Sequence, residues 1–151
     1  MPLLKTGDTA PDFQVQAHTG EAVSLVDFRG RYVLLWFYPK ADTPGCTIEG
    51  CGLRDRATEF QDARATILGV SFDTVEENRA FAEKFDFPYP LLCDTERAIG
   101  VAYGAAESAD ASHAKRISYL IDPEGVIAEV YGDVKPADHP GQVLEALAAR
   151  T

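Results

Sequence analysis

Short unbroken apolar runs alternate along this chain with longer polar stretches of helical period. Near the start, Phe13, Val15 and Ala17 are separated by polar residues, and Val23 and Leu25 follow the turn His18-Thr19-Gly20-Glu21. Alternation on both sides of a glycine-bearing turn predicts an amino-terminal β-hairpin. Tyr32 to Tyr38 is continuously apolar or aromatic, so every face of that element must be buried. Its aromatic and β-branched content, and Pro39 directly after it, predict a central strand. Beyond Thr43-Pro44-Gly45 the chain turns polar with helical character, predicting a helix from about Cys46 to Asp62. Thr66 to Phe72 reads as a second buried strand. Thr74 followed by Glu77 has capping-box spacing, which starts a helix at Val75 that runs to about Phe85. Phe81, Ala82 and Phe85 are its apolar face. Phe87-Pro-Tyr-Pro90 breaks the chain before a short segment at Leu91 and Leu92, and a helix is expected over Glu96 to Ala102. Asp122-Pro-Glu-Gly125 is a turn signature between Ser118–Ile121 and Val126–Tyr131, predicting an antiparallel hairpin. A last helix, about Gly141 to Ala149, is apolar at Val143, Leu144 and Leu147.

A β-α-β unit, a further helix, a hairpin and a closing helix is the order of an α/β thioredoxin-like fold. The expectation is a mixed central β-sheet flanked by helices, with an N-terminal β-hairpin. A length of 151 residues suits a single domain over 1–151. No linker or repeat interrupts it, and the Ala105–Ala114 segment is expected to be a mobile loop. A formal net charge of −10 without any Lys/Arg run argues against nucleic acid and anionic membrane surfaces as partners. The opening Met-Pro-Leu-Leu-Lys lacks the apolar core of a signal peptide, and no run approaches a transmembrane length. Three cysteines in such a chain point to a reducing, cytoplasmic setting, where thiols are catalytic or inert rather than structural staples.

The candidate chemistry lies where the central strand meets the first helix. A thiol at Cys46 faces unpaired backbone N–H groups and the positive end of the helix dipole, which favour thiolate over thiol. Cys51 follows in a C-x-x-x-x-C pattern, unlike the C-x-x-C of thioredoxin-type redox sites or the short pairs of zinc sites. Cys93 stands apart and His18, His113 and His139 are scattered, so neither a metal site nor a cofactor is expected. The plain alternative is two packing thiols on an amphipathic helix.

Pro39, Thr43 and Cys46 form P-x-x-x-T-x-x-C, which resembles the active-site signature of the peroxiredoxins. With Glu49 and Cys51 added, the run from Thr43 to Cys51 is similar to the bacterioferritin comigratory protein, or peroxiredoxin Q, branch. Gly7–Phe13, Gly69–Asp73 and Arg116–Gly125 resemble the opening, a core strand and the arginine-bearing segment of that family. The chain departs from it in three places. Tyr103 to Lys115 is short and rich in Ala, Ser and Asp, Asn78 stands where a histidine is usual, and Cys93 where a serine is usual.

The resemblance implies a peroxidase that reduces hydrogen peroxide and organic hydroperoxides. Cys46 would be the peroxidatic nucleophile and Cys51 the resolving thiol, closing a disulfide that thioredoxin or a similar dithiol reduces. Arg116 would favour the thiolate, Thr43 would hydrogen-bond the peroxide, and Pro39 would shape and dry the pocket. Each has a plainer reading: Arg116 a solvated charge beside Lys115, Thr43 a cap, Pro39 a strand breaker. Glu49 reads as a surface helical glutamate, Trp36 and Tyr38 as core, and Cys93 as a small apolar residue at a strand end or a second resolving thiol. The chain is expected to act as a monomer or weak dimer. Rival functions are a thiol-disulfide exchanger, against which the missing C-x-x-C counts, and a non-enzymatic redox sensor.

One consequence follows from helix geometry. Five residues at about 100° each leave Cys46 and Cys51 roughly 8–9 Å apart between Cα atoms on an intact helix. A disulfide seldom tolerates more than about 7 Å, so its formation requires local unwinding. Gly45, Gly50 and Gly52 ease that unwinding.

Overall fold

A computed structural model describes residues 3–150. The amino-terminal hairpin is β1 (Gln14–Gln16) with β2 (Ala22–Ser24), antiparallel with Val15 opposite Val23, and Leu25–Phe28 continue it as a 3-10 turn. The apolar run becomes β3 (Tyr32–Phe37). Helices α1 (Pro44–Asp55) and α2 (Ala57–Asp62) follow, then β4 (Ala65–Ser71) and α3 (Val75–Phe85). The chain closes with β5 (Leu91–Cys93), α4 (Ala98–Ala102), β6 (Ser118–Ile121), β7 (Ile127–Tyr131) and α5 (His139–Ala148).

The main sheet has the order β5-β4-β3-β6-β7, with β3 parallel to β4 and antiparallel to β6. This is the expected thioredoxin-like arrangement, and it explains why β3 is apolar throughout: a central strand covered on both faces has no polar side. Its side chains alternate between two cores. Val33, Leu35 and Phe37 pack with Tyr103, Tyr119 and Ile99 on the α4 side, under the hairpin. Leu34, Trp36 and Tyr38 pack with Cys46, Leu53, Phe60, Phe81 and Val143, contributed by α1, α2, α3 and α5. No helix of the described residues is long and apolar enough to cross a membrane.

Several boundaries differ from expectation by a residue or two, α5 among them starting at His139 rather than Gly141, and three of the differences have clear local reasons. The helix predicted over Cys46–Asp62 starts two residues earlier, because Pro44 fits the first helical turn without losing a needed donor. It also divides at Arg56, whose backbone leaves the helical region at φ −111° and ψ 14°. The helix expected from Glu96 begins at Ala98, since the Asp94 carboxylate accepts the N–H groups of Ile99 and Gly100 and Arg97 takes a left-handed φ of 64°. The capping box at Thr74 and Glu77 forms as predicted, the Thr74 hydroxyl accepting from Glu77 N–H and the Glu77 carboxylate from Thr74 N–H. The segment expected to be a mobile loop has buried ends at Ala105, Ala106 and Ala114, and Arg97 Nε donates to Ala111 O within it.

Candidate active site

The β3–α1 loop, residues 38–43, emerges at the carboxyl end of the central strand. Thr43 has extended backbone at the N-cap of α1, and its hydroxyl donates to Lys40 O at 2.7 Å. Pro39 is half-buried beside it. Cys46 is the third residue of α1 and is fully buried. The first intrahelical bond runs from Thr47 N–H to Thr43 O, so the N–H groups before it have no acceptor inside the helix.

Arg116 reaches this point through sheet register. Trp36 pairs with Ser118 across β3 and β6, and Phe37 N–H donates to Ile117 O, which sets Arg116 beside the end of β3. Its Nη2 lies 3.4 Å from Cys46 Sγ and its Nη1 donates to Glu49 Oε1 at 3.0 Å. Burial works against the guanidinium charge, but the sulfur and the Glu49 carboxylate outweigh it and hold the arginine above its ordinary range.

Glu49 is not the surface residue expected from its type. It is 0% exposed, because Cys46, Glu49, Gly50 and Leu53 recur at helical spacing on the inward face of α1. Burial raises its pKa to about 7, with Arg116 opposing the rise, and its Oε2 has no hydrogen-bond partner among the described residues. The signal was present in the sequence as an i, i+3, i+7 pattern from Cys46 through Glu49 to Leu53.

The glycines of α1 serve close approach. A Cβ on Gly45 would lie 2.7 Å from Arg116 Nη2, one on Gly50 2.6 Å from the Phe87 ring, and one on Gly52 3.1 Å from Pro140 Cγ. Tyr89 hydroxyl donates to Gly50 O at 2.7 Å, pinning the helix between its two cysteines. Cys51 is half-buried, and both thiols are free.

Of the residues proposed from sequence, Cys46, Arg116 and the unexpected Glu49 form one contact group, with Pro39 and Thr43 on the adjoining loop. Trp36 and Tyr38 belong to the core, their rings 4.6 Å apart. Cys93 is buried at the end of β5, where burial pushes its thiol pKa up against a hydrogen bond from Asn78 Nδ2.

The AhpC/TSA family model matches residues 6–130. The chain belongs to that family. Peroxiredoxin Bcp of Escherichia coli (strain K12) is 42% identical over 151 residues, spanning 95% of this chain and 96% of the relative. Among solved structures, peroxidoxin BcpB from Mycobacterium tuberculosis superposes with a TM-score of 0.91 at 34% identity, covering 98% of this chain and 99% of that one. The bacterioferritin comigratory protein of Xanthomonas campestris gives 0.86 at 32% identity, covering 91% of each chain. These likenesses put this peroxiredoxin on the Bcp and peroxiredoxin Q branch.

A consequence for this peroxiredoxin concerns Gly45. Gly45→Ala places a methyl group where the guanidinium now lies, so Arg116 must withdraw from the sulfur. Anionic iodoacetate should then lose about fivefold in alkylation rate relative to neutral iodoacetamide, the size of a partly screened charge contact of about 1 kcal/mol. An unchanged ratio would show that Arg116 keeps its place despite the methyl group.

Proposed function

We propose that this chain is a thiol peroxidase for hydrogen peroxide and organic hydroperoxides, with Cys46 as nucleophile and Cys51 as resolving thiol. The observation that carries this reading is the Arg116 guanidinium 3.4 Å from the buried sulfur of Cys46 in the first turn of α1. The alkyl peroxide reduction activity described for the Xanthomonas campestris relative supports the organic substrates.

In the first step the Cys46 thiolate attacks the terminal oxygen of ROOH. An S–O bond forms, the O–O bond breaks, and the leaving RO⁻ takes a proton to depart as ROH, leaving sulfenic acid. Arg116 holds a permanent positive charge at the sulfur, and first-turn N–H groups are available to the oxygen that gains charge. Because the Thr43 hydroxyl proton is committed to Lys40 O, its lone pairs remain to accept the peroxide O–H. Pro39 adds a wall without an N–H. In the second step the Cys51 thiol attacks the sulfenic sulfur, and a disulfide forms with loss of water. Thioredoxin or a similar dithiol then restores both thiols by exchange and is itself oxidised. A cytoplasmic setting supplies such donors and suits three free thiols.

The direct test is peroxide consumption coupled to thioredoxin, with hydrogen peroxide and cumene hydroperoxide side by side. Both should be consumed with matching oxidation of the donor. Failure to consume either, even with excess dithiol, would overturn the reading.

Arg116→Ala should slow the reaction of reduced enzyme with hydrogen peroxide by about 10²-fold. Stability should fall as well, because Glu49 is left buried without its partner; breaking a buried pair costs about 3–5 kcal/mol, less whatever Glu49 recovers by taking a proton. Adding Glu49→Gln should restore stability but not the rate. Recovery of both in the double variant would reduce Arg116 to a structural counter-ion.

A further inference from the structure

We infer that Asp73 is a positioning residue for the peroxide step, its carboxylate holding the β3–α1 loop that carries Pro39 and Thr43. The inference rests on the thiol-peroxidase reading above and concerns how its substrate is placed.

Asp73 lies just beyond β4 and is 6% exposed. Its Oδ2 accepts the backbone N–H of Ala41 at 2.8 Å and the Ser71 hydroxyl at 2.7 Å, while Oδ1 accepts Lys40 Nζ at 3.2 Å. An ionised carboxylate is the one side chain of this size that only accepts, and here three donors converge on it. Bonds to a charged acceptor are about twice as strong as neutral ones. Lys40 is largely exposed, so water screens its share. The buried bond to Ala41 is therefore the anchor.

That anchor grips the loop between its two functional positions. Ala41 lies two residues after Pro39 and two before Thr43. The Thr43 hydroxyl donates to Lys40 O, so a loop released at Lys40 and Ala41 also releases the threonine. The strand end is tied to the same corner: Tyr38 hydroxyl donates to Asn78 Oδ1, and Asn78 Nδ2 donates to Ser71 Oγ. Asn78 thus completes a buried network joining the loop, the end of β4 and α3. Among the described residues, the hydrogen bonds of Asp73 run to the loop, to Ser71 and to no member of the Cys46–Arg116–Glu49 group. Loss of the carboxylate should disturb where the peroxide sits while leaving the thiol as reactive as before.

The test uses the full chain with Asp73→Ala and Asp73→Asn. It compares the second-order rate of the reduced enzyme with hydrogen peroxide and the rate of Cys46 alkylation by iodoacetamide. Asp73→Ala should lower the peroxide rate by about 10²-fold, the scale of a roughly 1 Å misplacement, with alkylation within about twofold of wild type. Asparagine keeps the shape and one carbonyl acceptor for Ala41, so Asp73→Asn should recover about tenfold of that loss. A wild-type peroxide rate in Asp73→Ala overturns the inference. So does a parallel fall in alkylation, which would mean general damage to the site. If Asp73→Ala does not fold, Asp73→Asn decides: a reduced peroxide rate with normal alkylation supports positioning, and a wild-type peroxide rate defeats it. Wild-type protein inert to peroxide would defeat the peroxidase reading and this inference together. Equal rates in wild type and variant defeat this inference alone.

Discussion

Cys46→Ser is expected to abolish peroxide turnover, by at least about 10⁴-fold, at every concentration of reductant. A serine hydroxyl is a weak nucleophile at neutral pH, and among the described residues the hydrogen-bond partner at this sulfur is the Arg116 guanidinium, which cannot act as a base. Serine has the same shape as cysteine and is smaller, so it introduces no clash and the substitution should fold normally in the core it shares with Leu53, Trp36 and Phe60. Cys51→Ser should behave differently. It should consume one equivalent of peroxide in a burst and then stall with Cys46 as sulfenic acid, detectable by trapping and mass measurement. Cys93 does not offer a ready substitute, since it is buried at the end of β5 and burial raises its thiol pKa. Steady thioredoxin-dependent turnover by Cys51→Ser would nevertheless assign the resolving role elsewhere.

Oxidation should open α1. The helix is continuous from Pro44 to Asp55, so Cys46 and Cys51 are separated by roughly 8–9 Å between Cα atoms, beyond the reach of a disulfide. Closing the bond must break Arg116–Glu49, Tyr89–Gly50 and the contacts of Gly50 and Gly52 with Phe87 and Pro140. The glycines therefore act in both directions: they lower the intrinsic cost of unwinding, while their lack of a side chain permits the close packing that opposes it. Hydrogen exchange over residues 46–52 should be faster in the disulfide form by about 10²-fold or more. Equal protection in both forms would show that the disulfide closes without opening the helix.

The opening should also depend on pH. Glu49 titrates near 7 while buried against Arg116, which also contacts the Cys46 sulfur, and beside Tyr89, and returns to its ordinary value near 4.5 once exposed. Below the lower value it is protonated in both states, so opening is independent of pH. Between the two values opening releases a proton and becomes easier as pH rises, and above the upper value the dependence is flat again. The whole window is worth about 3 kcal/mol. Exchange of the α1 amides in the reduced protein, corrected for intrinsic rates, should show this slope, and Glu49→Gln should remove it. The same slope in the glutamine variant would assign it to another group.

Much of this molecule was legible because its signals are short-range. Backbone geometry and side-chain period act over a few residues, so the apolar run of β3, the Thr74–Glu77 capping box and the Asp122–Gly125 turn could be read directly. The Pro39–Thr43–Cys46 spacing was legible for the same reason, since a strand end, a loop and a helix start are consecutive in the chain. Glu49 shows where such reading stops. Its type argued for water, yet the inward face of α1 carries it into the core, where only a partner from elsewhere makes its burial tolerable. That partner, Arg116, lies 67 residues away in sequence, and only the family resemblance of its segment, not charge or periodicity, set it apart from its exposed neighbour Lys115. The pairing of β6 against β3 brings it in, and the missing side chain of Gly45 leaves it room. Asp73 is similar: an acid at the end of β4 became an anchor for the loop only when β4 paired beside β3. Local sequence sets the elements, their order and the thiol at the helix start, because those depend on neighbours along the chain. Tertiary structure alone decided which charges meet that thiol and what holds its loop, because sheet register and burial set the distances and the solvent exclusion that give those charges their effect.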